Sequence, residues 1–383
     1  MKPALVVSGN HAGMGIVHGL GTKGVPVVAL NHGQDVLGGS KYVAASLPVP
    51  DPQNHEDDFI VALLSLAGDY EGCPVIPAND EALVALSRHK QALVEHFVVA
   101  CPGWDVVEQY IDKAHTYERA NEIGVPAPDT FCPTGLDDVE AVESKIRFPC
   151  LVKPREGHLF HRVFGTKMFP VQDMDDLCGA FKTAHEAGLR VMIQEFIPGG
   201  DASGVNFNSY TQSGQAPVEF TARKVRNSPP QYGSPRVVVS ERVPEVIESG
   251  QRLLDHMGYF GFSCMEFKLD ERDGEYKLME VNGRHNRSAM LAVRCGINFP
   301  WIEYAHLMQG QAAEPCAFEE GIYWIDLLSD IKHSFKHRRF EKYTMSELTR
   351  PYREPHVFSV LDRRDIKPFL RRVSASVSKS LRK

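Results

Sequence analysis

Polar and apolar residues alternate along 264–270 and again along 276–284, and the stretch between them, 271–275, carries the pair Asp273 and Gly274. Period-two alternation on both sides of a turn signal predicts an antiparallel hairpin with a short loop. With the turn centred near Asp273, Glu266 falls opposite Glu280. Met265, Phe267, Leu269, Met279 and Val281 then share the buried face, and Glu266, Glu280 and Asn282 the other. Carboxylates facing each other across a ladder stand ~5 Å apart at Cβ and repel. A divalent cation between them removes the repulsion, and hard oxygen donors with shared phosphates suit Mg2+. An ordinary solvated acidic hairpin is the competing reading of the same pattern.

The remaining pattern is mixed α/β. A β-rich run at 4–8, a glycine-rich turn at 9–15, a helical stretch to about 23 and a strand at 25–30 make a βαβ opening. Gly13 and Gly15 are followed by Gly19, and Asn31 with Asp35 nearby stands where a dinucleotide site needs an acid, so a nicotinamide-dinucleotide fingerprint is not matched. Gly13 can still bring backbone N–H groups to a small anion at a helix N-terminus. A helix at 59–67 and a strand at 73–77 follow, then a helix opened by Asn79 or Asp80 as N-cap. Asp80 and Glu81 thus follow a strand end, where open α/β sheets bind ligands, although acids in a first helical turn need no ligand.

A helix at 112–123 stops at Gly124 and Pro126, which marks a domain junction. Strand 148–154 delivers Lys153 into 155–167, an aperiodic stretch that reads as a mobile lid. Helix 175–187 and strand 191–198 lead to antiparallel strands at 205–210, 218–225 and 235–240. A loop is expected at 227–233, and helices at 245–257 and 288–295. Residues 324–331 read as a helix that packs back on the core, completing a substrate pocket or a homodimer contact.

Length and charge narrow the functional classes. A chain of 383 residues exceeds one small core, and a net charge of −7 argues against a nucleic-acid binder. The eight cysteines include no Cys-x-x-Cys pair, which points to reduced thiols and a cytoplasmic protein. No apolar run is long enough to span a bilayer, and the start lacks a signal-peptide pattern. From Arg363 onward Asp365 is the only acid, so the tail is either a solvated basic end or a weak amphipathic helix touching an anionic membrane surface.

Lys113, the run 151–154 containing Lys153, the run 194–199, Met265-Glu-Phe267 and Glu280-Val-Asn-Gly-Arg284 occur in one order over residues 1–310. As an ordered set they resemble the ATP-grasp superfamily, in particular its carboxylate–amine ligases, relatives of biotin carboxylase and carbamoyl-phosphate synthase. The resemblance implies an α/β and α+β architecture: a Rossmann-like pre-ATP-grasp domain at 1–108, the small (lid) subdomain at 109–190, the large subdomain at 191–312 and a C-terminal helical extension with the basic tail at 313–383.

It further implies that Lys113 and Lys153 bind the nucleotide phosphates, that Gln194, Glu195, Phe196 and Ile197 form the adenine-binding hinge, and that Asp201 accepts from the ribose. Glu266, Glu280 and Asn282 would hold Mg2+, and Arg284 would stabilise the transferring group, with Lys153 beside it. The lid lacks the family's glycine-rich pattern. Arg223 and Arg226 either face the γ-phosphate or a substrate carboxylate or are solvated strand charges; Gly13, Asp80 and Arg287 are further substrate candidates. His115, His158, His161, His333 and His337 are read as non-ligands. The implied activity is an ATP-dependent ligase that makes an acyl phosphate and joins it to an amine, releasing ADP and phosphate. A phosphotransferase of the same fold and a non-catalytic nucleotide binder are the alternatives.

Overall fold

The computed structural model describes residues 1–7, 11–33, 36–155, 157–231, 233–336 and 343–381, with 157–159, 161 and 377–381 described by backbone alone. The first part of the glycine turn (residues 8–10), Asp35, Tyr232, His337 and the side chains of His158 and His161 therefore lie outside the described residues.

Three sheets carry the molecule. The first is parallel, in the order β3-β2-β1-β4-β5, from β1 (Ala4–Val7), β2 (Val27–Asn31), β3 (Val43–Pro48), β4 (Pro74–Pro77) and β5 (Val98–Val99). β1, β2 and β4 are buried along their whole length, as expected for parallel strands covered on both faces. The helix His11–Gly21 connects β1 to β2, giving the Rossmann-like opening.

A second, antiparallel sheet runs β6-β9-β7-β8, from β6 (Thr130–Phe131), β7 (Cys150–Pro154), β8 (Phe169–Val171) and β9 (Val191–Glu195). It buries its own apolar cluster, including Val152, Phe160, Leu177, Phe181 and Ile193. The third sheet runs β14-β13-β10-β11-β12-β15-β16, from β10 (Gly204–Thr211), β11 (Val218–Ser228), β12 (Ser234–Ser240), β13 (Gly261–Leu269), β14 (Tyr276–Asn282), β15 (Tyr323–Ile325) and β16 (His356–Phe358). Its core is continuous with that of the first sheet: Phe207 and Met265 share one cluster with Leu5 and Val75. The first and third sheets thus share one core, and the small sheet keeps a separate one.

Several elements differ from the sequence expectation. The stretch after Lys153 contains a helix, Gly157–Phe164, instead of an irregular loop. Trp324 and Ile325 belong to β15, and the helix begins only at Leu327, because Val237–Val239 of β12 offers that segment an edge to pair with. The C-terminal extension therefore adds two strands to the largest sheet as well as helices. β11 runs on to Ser228, into the expected loop.

The hairpin has its expected register at the two glutamates: Glu266 pairs with Glu280 and Cys264 with Asn282. The loop turns through Gly274 at φ 78°, a left-handed conformation that glycine adopts without steric cost. A bulge next to this pair shifts the register, so Phe267 faces Leu278. Leu278 is buried on the core face in place of Met279, and Met279 lines the cleft instead.

Candidate active site

A cleft of about 670 Å³ is lined by residues of the small sheet (Leu151, Lys153), the segment after β9 (Phe196, Ile197), the large sheet and the end of β14. Glu266, Glu280 and Asn282 all reach it. Each glutamate has an ammonium partner: Lys113 donates to Glu280, and Lys224 to Glu266. Burial pushes the Glu280 carboxyl up, but Lys113 outweighs it, with help from Lys167 and Lys153, and brings it down to about 2. Burial opposes the charges of Lys113 and Lys224, yet the facing carboxylates hold both ammonium groups above their ordinary value.

Local structure explains these placements. Asp112 caps the helix Lys113–Glu122, accepting from Ala114 N at 3.1 Å. It also accepts from Arg155 Nε and Nη2 at 2.9 and 2.6 Å. The Lys113 backbone N–H donates to Arg155 O at 3.1 Å, so the start of this helix is tied to the segment following β7. Lys153, in β7, is 7% exposed and donates to Gln194 Oε1 at 2.8 Å, while Gln194 Nε2 donates to Thr130 Oγ1 at 3.0 Å. Gln194 is fully buried and steadies Lys153 from behind.

Arg284 forms a two-pronged ion pair with Asp80, at 2.9 and 3.0 Å, and donates to Asn282 Oδ1 at 3.1 Å. Burial pulls the Arg284 guanidinium down, but Asp80 outweighs it and holds the group above its ordinary value. Asp80 follows the N-cap Asn79, whose side chain accepts from Ala82 N at 3.2 Å. Gly283, between Asn282 and Arg284, packs so closely that a Cβ there would lie 2.1 Å from Tyr110 Oη. Any larger residue would force either Tyr110 or the backbone between Asn282 and Arg284 to shift.

Similarity to known proteins agrees with this geometry. No family model matches the chain. It is 27% identical over 235 residues to a D-aspartate ligase of Enterococcus faecium, covering 58% of this chain and 56% of that protein. It is 24% identical over 319 residues to a D-alanine–D-alanine ligase of Pseudomonas entomophila, covering 79% of this chain and 88% of that one. The chain thus spans little more than half of the D-aspartate ligase. The fold superposes on a biotin carboxylase from Campylobacter jejuni, solved as a β,γ-ATP complex, with a TM-score of 0.67 at 14% identity, covering 84% of this chain and 74% of that one. The chain is thus similar in sequence to D-aspartate and D-alanine–D-alanine ligases, and it shares its fold with biotin carboxylase.

The residues of this cleft would suit ATP and Mg2+. Asn206, Glu266 and Glu280 stand in one row across β10, β13 and β14. Asn206 Oδ1 is buried without a hydrogen-bond partner, and Asn206 lines the cleft. This is an all-oxygen donor set. Among the described residues no group of three or more His, Cys, Asp or Glu makes a protein-only cage. Mg2+ is commonly held in this way, by one or two carboxylates with water and phosphate oxygens completing the octahedron. Five lysines line the cleft, Lys113, Lys153, Lys167, Lys224 and Lys268, and their charge would suit phosphates. Phe196 and Ile197 offer an apolar wall, with Lys268 Nζ 5.2 Å from the Phe196 ring centroid and donating to Ile197 O at 2.8 Å.

Other candidates lie elsewhere. Arg223 is not among the cleft-lining residues: it is held by Glu241 at 2.8 and 2.6 Å and by Ala202 O at 3.0 Å. Alternation on β11 sends Lys224 to the cleft instead, a residue the sequence reading passed over. A register shift separates Lys224 from Arg226, and Arg226 is buried against Asp330 at 2.9 and 2.7 Å, away from the cleft. Asp201 lines the cleft, but its carboxylate already accepts from Asn227 N, Asn227 Nδ2 and Gln231 N, at 2.7, 3.2 and 2.6 Å. Glu195 is engaged by Arg272 at 2.6 Å, outside the cleft. Gly13 lies in the first turn of its helix and does not line the cleft; Arg287 does.

Proposed function

We propose that the protein activates a carboxylate with ATP as an acyl phosphate and couples it to an amine, with an amino acid as one substrate. The observation that carries this reading is the convergence on one cleft of Lys113, Lys153, Lys224, Glu266, Glu280, Asn282 and Arg284. These groups stabilise charge, and phosphoryl transfer needs little more than positioning and charge stabilisation. In this reading Lys113, Lys153 and Lys224 hold the phosphates, and Phe196 and Ile197 receive the adenine. Glu266, Glu280 and Asn282 hold Mg2+, which when bound neutralises phosphate charge. Arg284, oriented by Asp80, faces the developing charge on the transferring group. The division at 1–108, 109–190, 191–312 and 313–383 belongs to the same proposal, supported by the separate core of the small sheet.

The names of the two relatives make D-aspartate and D-alanine the first substrates to try. Purified protein with Mg-ATP is screened for phosphate release against D- and L-amino acids, alone and crossed with amines. Amino-acid-dependent ADP and phosphate formation with an amide product is expected. A stable phosphorylated product would replace the ligase by a phosphotransferase, and no ADP from any pair would leave only nucleotide binding.

At the C-terminal end, exposed Leu370 shares its helix with Lys367 and Arg371, and exposed Ile366 immediately precedes that helix, which supports a weak contact with an anionic membrane surface. Exposed Ile331 and Phe335 support a homodimer contact. Flotation with phosphatidylserine vesicles and sedimentation velocity test the two; a protein that stays unbound and monomeric removes both. No described helix is long and apolar enough to cross a membrane.

A further inference from the structure

The arginine three positions beyond Arg284 is built into the site by a part of the chain that the ATP chemistry does not use. Arg287 lines the cleft, and its side chain is 34% exposed. It donates through Nη2 to Asp326, while its Nε is buried without a hydrogen-bond partner. Asp326 is fully buried at the end of β15. It also accepts from Arg372 Nη2, with contacts of 2.9 and 2.7 Å to its two oxygens. Arg372 comes from the C-terminal helix Lys367–Leu381 and also reaches Ser359 Oγ at 3.4 Å. Asp326 is itself fixed: its N–H donates to Arg236 O at 2.8 Å, and its Oδ1 accepts from Ser329 N at 3.3 Å.

Charge does not balance here. One carboxylate serves two guanidinium groups. His11, 3.9 Å from Asp326, does not add to the cationic side, because burial and the two arginines push its imidazole down to about 3 and leave it neutral. Buried, unevenly compensated charge is costly unless a further partner shares it. The acids lining the cleft are Asp80, Glu81, Asp201, Glu266 and Glu280; Asp80 is engaged with Arg284, Glu266 with Lys224, Glu280 with Lys113, and Asp201 with the backbone N–H groups of Asn227 and Gln231.

We propose that the C-terminal helix is a working part of the substrate end of the cleft: Arg372, through Asp326, positions Arg287 to bind an anionic group of the amino-acid substrate. The inference rests on the ligase reading for the identity of the ligand. Arg287 is the contacting residue, and Arg372 and Asp326 are positioning residues. A planar guanidinium clamped at one edge presents its remaining N–H groups in a fixed direction, the geometry that a carboxylate accepts from two donors at once.

The test uses the full-length protein with Mg-ATP and D-aspartate or D-alanine as probes, comparing wild type, Arg287→Met, Arg372→Met, Arg372→Lys and the exposed-charge control Arg363→Ala. ADP formation is followed kinetically. Calorimetry measures binding of the amino acid to the Mg-ADP form, and of Mg-ADP itself. Arg287→Met and Arg372→Met are expected to raise the amino-acid KM and Kd at least tenfold. The KM for ATP and the Mg-ADP Kd should stay within twofold, Arg372→Lys should fall between, and Arg363→Ala should match wild type.

Wild-type amino-acid KM and Kd in Arg372→Met would overturn the inference while the ligase reading stood. Equal losses of amino-acid and nucleotide binding would overturn it too, by showing a merely structural role. If wild type neither turns over nor binds either amino acid, the inference as stated fails, while the ligase reading is decided by the wider amino-acid and amine screen. Should Arg372→Met not fold, Arg372→Lys decides: an unchanged amino-acid KM and Kd overturns the inference.

Discussion

Glu280 and Arg284 each sit two residues or fewer from Asn282, yet they do different work. Glu280 is an anion held by Lys113 on the cleft floor; Arg284 is a cation aimed by Asp80. In the ligase reading, removing either charge subtracts stabilisation that matters most as the phosphoryl group moves. Loss of one preorganised electrostatic partner typically costs about 10²–10³ in rate. Glu280→Gln and Arg284→Ala are therefore expected to remain folded, by circular dichroism and melting, and to lose about that factor in kcat. Turnover at the wild-type rate in either variant would remove the residue from the proposed machinery.

At the scale of elements, the start of the helix Lys113–Glu122 and the segment after β7 are joined by one carboxylate. Asp112 accepts from its own helix and from Arg155, and is 8% exposed. Burial raises its pKa, but the bonds from Arg155 and the attraction of that guanidinium bring it below the ordinary 3.8. A carboxyl held lower in the native state than in the unfolded chain contributes fully above its unfolded pKa, and that contribution fades as the pH falls beneath it. Asp112→Asn keeps a capping oxygen but loses the ion pair. It should destabilise the protein by about 1.5–3 kcal/mol at pH 7, the range for hydrogen bonds to charged groups. Urea denaturation at pH 7 and again below pH 3.8 checks this, and the gap from wild type should narrow in acid. A gap that is constant with pH would show that the Asp112 charge contributes nothing.

For the whole molecule, the separate core of the small sheet is the main mechanical fact. The first and third sheets share apolar contacts, whereas the small sheet has its own core and lines the cleft with Leu151, Lys153 and Pro154 of β7, joined by Lys167 from the segment before β8. A nucleotide touching the small and the large sheet should therefore tie them together. A ligand that binds only the native state at 100 times its Kd stabilises it by about 2.7 kcal/mol. Mg-ADP is expected to raise the melting temperature as its concentration passes Kd, and ADP with excess chelator should give a smaller rise. Equal shifts with and without Mg2+ would remove Glu266, Glu280 and Asn282 from the metal assignment.

What the sequence determined was local. Alternation and the Asp273-Gly274 turn were enough to set Glu266 against Glu280, because a strand's facing has a period of two residues and the turn sits a few residues away. The cap at Asn79, the βαβ opening and the delivery of Lys153 by β7 were legible for the same reason. Tertiary structure decided the rest. Of the basic run on β11, Arg223 and Arg226 are the sequence candidates, yet Lys224 is the one that lines the cleft, while Glu241 and Asp330, from other segments, hold the two arginines. Met279 changed faces through a bulge that no residue type in the strand announces. Residues 11, 287, 326 and 372 have no shared period, and Asp80 and Arg284 stand 204 positions apart. Charge pairing at such separations is set by how sheets and helices pack, and that information lies in the assembled chain instead of in any stretch of it.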